Sequence, residues 1–232
     1  MILDPPITRV TWQPCWRIVS SLFPPRGLFE RVASKEDLEV VMAIEGLTND
    51  RIRQEVGELS LVPEEDCIFG PSTTPVMAAF THPNPQGSRF ADWSYGVYYA
   101  TKSIDTAVAE TRYHKERFLR ATNENRIEVD MRSYASNIDA DLHDVRGQRD
   151  TAPELYDPEP AHYGAAQAFA KSLRSDGSNG IVYDSVRHPG GECVVAFRPR
   201  LLSPVTQGQH FCYVWDGENI SDVYIKAEYR GR

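Results

Sequence analysis

A chain of 232 residues, 41% hydrophobic and 25% charged, has the size and composition of a soluble globular protein with one sizeable core. Its net charge of −8 excludes a general nucleic-acid binder, which needs a basic surface, and leaves room only for a local basic pocket. No apolar run approaches the roughly 18–20 residues that cross a bilayer, and the N-terminus lacks the basic-then-apolar order of a secretion signal, so the expected location is the cytoplasm.

Residues 1–14 are punctuated by prolines and read as an extended arm. Cys15 to Ser20 alternates as a first strand, with Trp16 and Ile18 on one side and Arg17 on the other. A turn-rich loop follows at Phe23-Pro24-Pro25. Ser34 with Asp37 opens a helix that stops at Gly46, and Asn49–Val56 reads as a second, shorter one. The segment from Ile68 to Phe80 mixes loop signals with an apolar run and fits either a helix or a strand. Tyr95–Ala100 reads as a buried strand, and Ser103 caps a helix on which Thr106, Glu110 and His114 share one stripe.

After that helix, Arg126–Met131 alternates as a strand, and Asp141–Arg146 reads as an edge element or a short helix. Thr151–Pro160 is a loop, and 162–174 is an amphipathic helix built on Ala165, Ala168, Phe169 and Leu173. Gly180–Ser185 and Glu192–Phe197 form a strand pair joined by a glycine turn. A last pair, from Phe211 to Ile225, turns at Asp216-Gly217. This order predicts an α+β protein, a mixed sheet with flanking helices. It is taken as one domain over 1–232, with its core over about 15–204, the N-terminal arm over 1–14 and a helical insertion over about 34–57.

Familiar motifs are missing. There is no phosphate loop, dinucleotide fingerprint, GxSxG elbow or HExxH helix. Asp184, Ser185 and His188 are too close along one turn to face each other as a triad. Cys15, Cys67, Cys193 and Cys212 form no CxxC pair, so no metal site is expected. What remains is a constellation: Arg17, Arg89, Tyr99, Glu110 and Ser185. Two guanidiniums suit a pyrophosphate, an aromatic ring suits a flat heterocycle, and one carboxylate suits the cation that forms when a glycosidic bond breaks. Each residue also has a plainer reading. Glu110 balances Arg112 or Lys115, Ser185 caps a turn, Arg17 is a salt-bridged core arginine, and alternation leaves open which of Tyr98 and Tyr99 faces the core.

Trp16-Arg17-Ile18, Ser88-Arg89-Phe90, Gly96-Val97-Tyr98-Tyr99-Ala100, Thr106–Glu110 and Ile181–Ser185, in that order, resemble the RES-domain proteins, named for their Arg, Glu and Ser. The longer N-terminal part looks like that of the larger RES subgroup. The resemblance implies a fold similar to the ADP-ribosyltransferase toxins and the role of a toxin paired with an Xre-type antitoxin. It implies cleavage of the nicotinamide–ribose bond of NAD⁺, with NAD⁺ as substrate rather than cofactor and water or phosphate as acceptor. Glu110 would then be the catalytic carboxylate, and Ser185 would orient it or bind the ribose. Arg17 and Arg89 would hold phosphates or ribose, Tyr99 would stack on the nicotinamide, and Arg187 would join the NAD⁺ contacts, in a cleft between the strands of Tyr99 and Ser185. ADP-ribosylation of a protein, and a catalytically silent interaction protein, are the rival readings.

Overall fold

The computed structural model describes residues 4–21, 57–122, 124–227 and 229. The loop at Phe23-Pro24-Pro25 and the helices expected over about 34–57 lie outside the described residues, apart from Gly57. The longer elements are β1 (Ile7–Ser20), α1 (Thr74–Thr81), β2 (Tyr98–Thr101), α2 (Ile104–Arg120), β3 (Ile127–Asp144), α3 (Gly164–Ser175), β4 (Gly180–Asp184), β5 (Glu192–Ala196), β6 (Thr206–Trp215) and β7 (Ile220–Lys226). The α+β expectation holds. The strands form one mixed seven-stranded sheet in the order β1-β2-β5-β4-β3-β6-β7, with β3 and β4 the parallel pair.

A second pairing shapes the molecule. β1 also runs antiparallel to β3, from Ile7 opposite His143 to Ser20 opposite Met131, so β1, β2, β5, β4 and β3 close on themselves as a ring. Val10, Trp12, Tyr98, Ile138, Val182 and Val194 come from all five of these strands and pack into one buried cluster, which places them inside the ring. The α1 side chains Val76, Met77 and Phe80 join the same cluster. Neighbouring residues on each strand face outward. Ile181, Tyr183, Cys193 and Val195 pack under α3, and Ile18 and Met131 pack with Ala107 and Leu119 of α2. With both faces covered, β4 and β5 are almost continuously apolar and show little alternation.

Several expectations are corrected. The extended arm expected over 1–14 is part of the sheet from Ile7 onward, because β1 starts there; Pro14 is accommodated where the β1–β3 register shifts between Trp12 and Cys15. β3 does not stop at Met131, and Asp141–Asp144 is its far end. Within it Ser133 and Ser136 are both buried, and their hydroxyls donate to Gln209 O at 3.0 Å and Ser203 O at 2.7 Å. On α3 the buried face carries Ala166 and Ala170, while Ala165 and Ala168 are exposed. The sheet also continues past residue 204 into β6 and β7. Among the described residues no helix is long and apolar enough to cross a membrane.

Candidate active site

The site begins where β2 turns into α2. Thr101 Oγ1 donates to Ser103 O at 2.7 Å, and Ser103 Oγ accepts the Thr106 N–H at 3.2 Å, which caps the helix as its sequence suggests. Thr106 and Ala107 are buried against the sheet. One turn later Glu110 emerges half-buried on the same stripe.

Ser185 follows the last residue of β4 and is 2% exposed. Its Oγ accepts two backbone N–H groups, from Arg187 at 3.1 Å and from His188 at 3.0 Å, and donates to Glu110 Oε1 at 2.6 Å. Both hydroxyl lone pairs are thereby occupied, so the proton has one direction left, toward the carboxylate. The Cys193 thiol lies 4.0 Å from the same oxygen; burial first, and the Glu110 charge second, push its pKa far up. The plainer reading of Glu110 does not hold, since Arg112 pairs with Glu116 at 3.0 Å and Lys115 lies over the Phe118 ring.

Tyr98 points into the ring at 1% exposure, so Tyr99 is the tyrosine on the face shared by Cys193 and Glu110. Its hydroxyl meets Ser88 Oγ and accepts the Phe90 N–H, each at 2.9 Å, and thereby clamps the loop that carries Arg89. Burial pushes the Tyr99 pKa up to about 12, so this clamp stays neutral. Arg89 is 8% exposed, and its Nη1 donates to Leu155 O at 2.9 Å and Asp157 O at 2.8 Å. Its Nη2 reaches Tyr163 Oη at 3.2 Å, and the guanidinium lies 4.5 Å from that ring's centroid. Arg187 lies 3.3 Å from the Tyr113 ring centroid and donates to Pro158 O, so one loop is gripped by both arginines.

Arg17 sits apart. It lies over the Tyr98 ring at 4.8 Å, and its Nη1 donates to Tyr99 O at 3.1 Å. Desolvation lowers its pKa. It therefore meets the site through the backbone of Tyr99, and no contact with Glu110 or Ser185 occurs among the described residues. The strands of Tyr99 and Ser185 are not neighbours, because β5 lies between them and places Cys193 beside Glu110.

Among the described residues neither Arg17, Arg89, Arg149 nor Arg187 makes an ion pair. The surroundings of Glu110 are thus locally cationic in an acidic chain, and their acceptors are backbone carbonyls and a phenol. Tyr163, the 155–158 carbonyls, Arg149 on Ser185 O and a Thr106–His188 contact were not anticipated from sequence. Backbone acceptors leave no trace in a sequence, whereas Thr106 was at least visible on the Glu110 stripe. Chemically, a carboxylate with a directed donor, near arginines bonded mainly to backbone carbonyls, can face a developing cation while an anionic tail is held nearby.

The family model described as the RES domain matches residues 67–216. An uncharacterized protein, y4oC, of Sinorhizobium fredii (strain NBRC 101917 / NGR234) is 28% identical over 209 residues, covering 90% of this chain and 86% of that protein. Among solved structures, a chain of the M. tuberculosis MbcT–MbcA toxin–antitoxin complex is similar at a TM-score of 0.44 and 12% identity, over 89% of this chain and 86% of that one.

Proposed function

This chain belongs to the RES-domain family, and from that premise we propose that it is a toxin that degrades NAD⁺ by breaking the bond between nicotinamide and ribose. The observation that carries the reading is the 2.6 Å hydrogen bond from Ser185 to Glu110, with Arg89 and Arg187 both holding the neighbouring 155–158 loop. In this reaction the C–N glycosidic bond breaks and its electron pair leaves with the nicotinamide, cancelling the pyridinium charge. The leaving group therefore needs no proton. The ribosyl carbon becomes cationic, and the Glu110 carboxylate stabilises it. Water or phosphate then adds at that carbon, and water gives up a proton as it does so.

In this proposal Ser185 fixes the carboxylate, and Arg89 and Arg187 face the pyrophosphate. Arg17 contributes positive charge from the Tyr99 side, and Tyr99 borders the nicotinamide while its hydroxyl holds the Arg89 loop. An Xre-type antitoxin is the proposed protein partner, and the cytoplasm, where NAD⁺ is held, is the proposed place of action. Nicotinamide release from NAD⁺ by the purified protein tests the reading, and Glu110→Ala is expected to slow it by about 10³-fold or more. Absence of release by the unaltered protein, or unchanged release by the variant, overturns it. Label from ADP-ribose appearing on a protein would transfer the same chemistry to a macromolecular acceptor.

A further inference from the structure

The turn between β4 and β5 is tied to α2 by a contact that the reaction itself does not call for. Thr106 Oγ1 is 2.9 Å from His188 Nδ1, and Thr106 is completely buried, one helical turn before Glu110. The same hydroxyl is 2.8 Å from Ser103 Oγ, which caps the helix. On the other side, the backbone N–H of His188 donates to Ser185 Oγ at 3.0 Å. A continuous path therefore runs from the start of α2 through a side chain of the turn to the hydroxyl that holds Glu110.

The close approach is built in. A Cβ on Gly191 would lie 2.7 Å from Thr106 Oγ1 and 3.0 Å from His188 Nδ1, so a side chain there would wedge the turn away from the helix. The turn's own hydrogen bonds, Gly191 N–H to His188 O at 2.9 Å and Ser185 N–H to Gly191 O at 2.8 Å, close it on itself but do not attach it to α2.

We propose that Thr106 and His188 are positioning residues: their contact holds the β4–β5 turn so that its two amides point at Ser185 Oγ and its proton points at Glu110. The proposal rests on the reading of Glu110 as the acting carboxylate. Without the contact, the turn can shift on α2, the amides lose their common target, and the Ser185 hydroxyl is free to rotate away. The carboxylate is still present but no longer held, so turnover suffers while substrate binding by the arginines persists.

Thr106→Val keeps the shape and removes the hydroxyl, Thr106→Ser keeps the hydroxyl, and His188→Asn keeps a polar atom near the Nδ1 position. We expect Thr106→Val and His188→Ala each to lower kcat for nicotinamide release about tenfold with KM within about twofold, as for loss of a hydrogen bond that acts on the transition state. Thr106→Ser and His188→Asn are expected to recover most of the loss. The Thr106→Val/His188→Ala double variant should be no slower than either single one, because the two share one interaction. Multiplying losses, or an unchanged kcat in Thr106→Val, overturns the proposal.

Amide hydrogen exchange provides a readout independent of activity. The N–H groups of Arg187 and His188 should exchange about tenfold faster in Thr106→Val, with the amides of β4 and β5 unchanged. Unaltered exchange at those two groups, or a loss of protection spread over both strands, counts against it. If the unaltered protein releases no nicotinamide, the proposed activity falls, and the exchange measurement still decides the positioning role.

Discussion

Ser185 shows how one hydroxyl can do two jobs that a sequence cannot distinguish. As a turn cap it satisfies the amides of Arg187 and His188; as a donor it fixes Glu110. The cap is thus observed, and the same hydroxyl makes the bond on which the proposed role rests. Ser185→Ala removes both. Leaving two amides short of an acceptor in a buried turn costs about 1–3 kcal/mol, readable in thermal or denaturant melts. A carboxylate displaced by even a fraction of an ångström is expected to lower nicotinamide release roughly 10- to 100-fold. If the variant melts lower but turns over normally, the hydroxyl is a cap and nothing more. Arg89 carries a similar double load, since the donors that could meet an anion also hold the carbonyls of Leu155 and Asp157.

At the scale of elements, the end of β3 is stapled to the β4–β5 hairpin by Arg146, which pairs with Asp144 at 2.6 Å and with Glu192, itself paired with Lys102. Desolvation raises the pKa of both carboxyls, but hydrogen bonds from Arg146, and from Lys102 in the case of Glu192, outweigh it and hold both below the usual carboxylate range. A folded-state pKa below the unfolded one gives stability that is present above the unfolded value and disappears as pH falls through the folded value. The melting temperature should therefore drop as pH falls below about 4, and Arg146→Ala should lower it at neutral pH and flatten that acid decline. Equal acid sensitivity in the variant would remove the staple from the account.

These elements also show what the sequence could and could not convey. The Ser103 cap, the Glu110 stripe and the β4 and β5 strands were legible, because capping and apolar runs are local signals. The length of β3 was not, because the partners of Ser133 and Ser136 are carbonyls of distant segments. Nor were the partners of Arg17, the Tyr98 ring and Tyr99 O, which depend on a ring closure that no short stretch encodes.

For the molecule as a whole, a net charge of −8 surrounds a site whose arginines Arg89 and Arg187 make no ion pair among the described residues. If NAD⁺ is the substrate, as proposed, this anionic dinucleotide is expected to be repelled at long range and attracted at short range. Added salt screens the exposed acidic surface more than the buried Arg89, so the two effects of screening oppose each other. The KM for NAD⁺ is expected to change by less than about threefold between about 0.05 and 0.5 M NaCl. A steep rise would move binding to exposed cations. The same acidic surface suits a partner that presents a basic contact face.

The closed ring has a consequence for how the protein is made. β1 leaves the ribosome early, yet its long partner β3 is complete only at Asp144, and β4 and β5 come later still. No nascent fragment ending before Ala196 can contain the finished ring. Such non-local closure favours slow folding late in synthesis. On the proposed function, the Ser185–Glu110 bond on which NAD⁺ cleavage would depend cannot form until the chain has grown past residue 185, so early nascent fragments are expected to be inert.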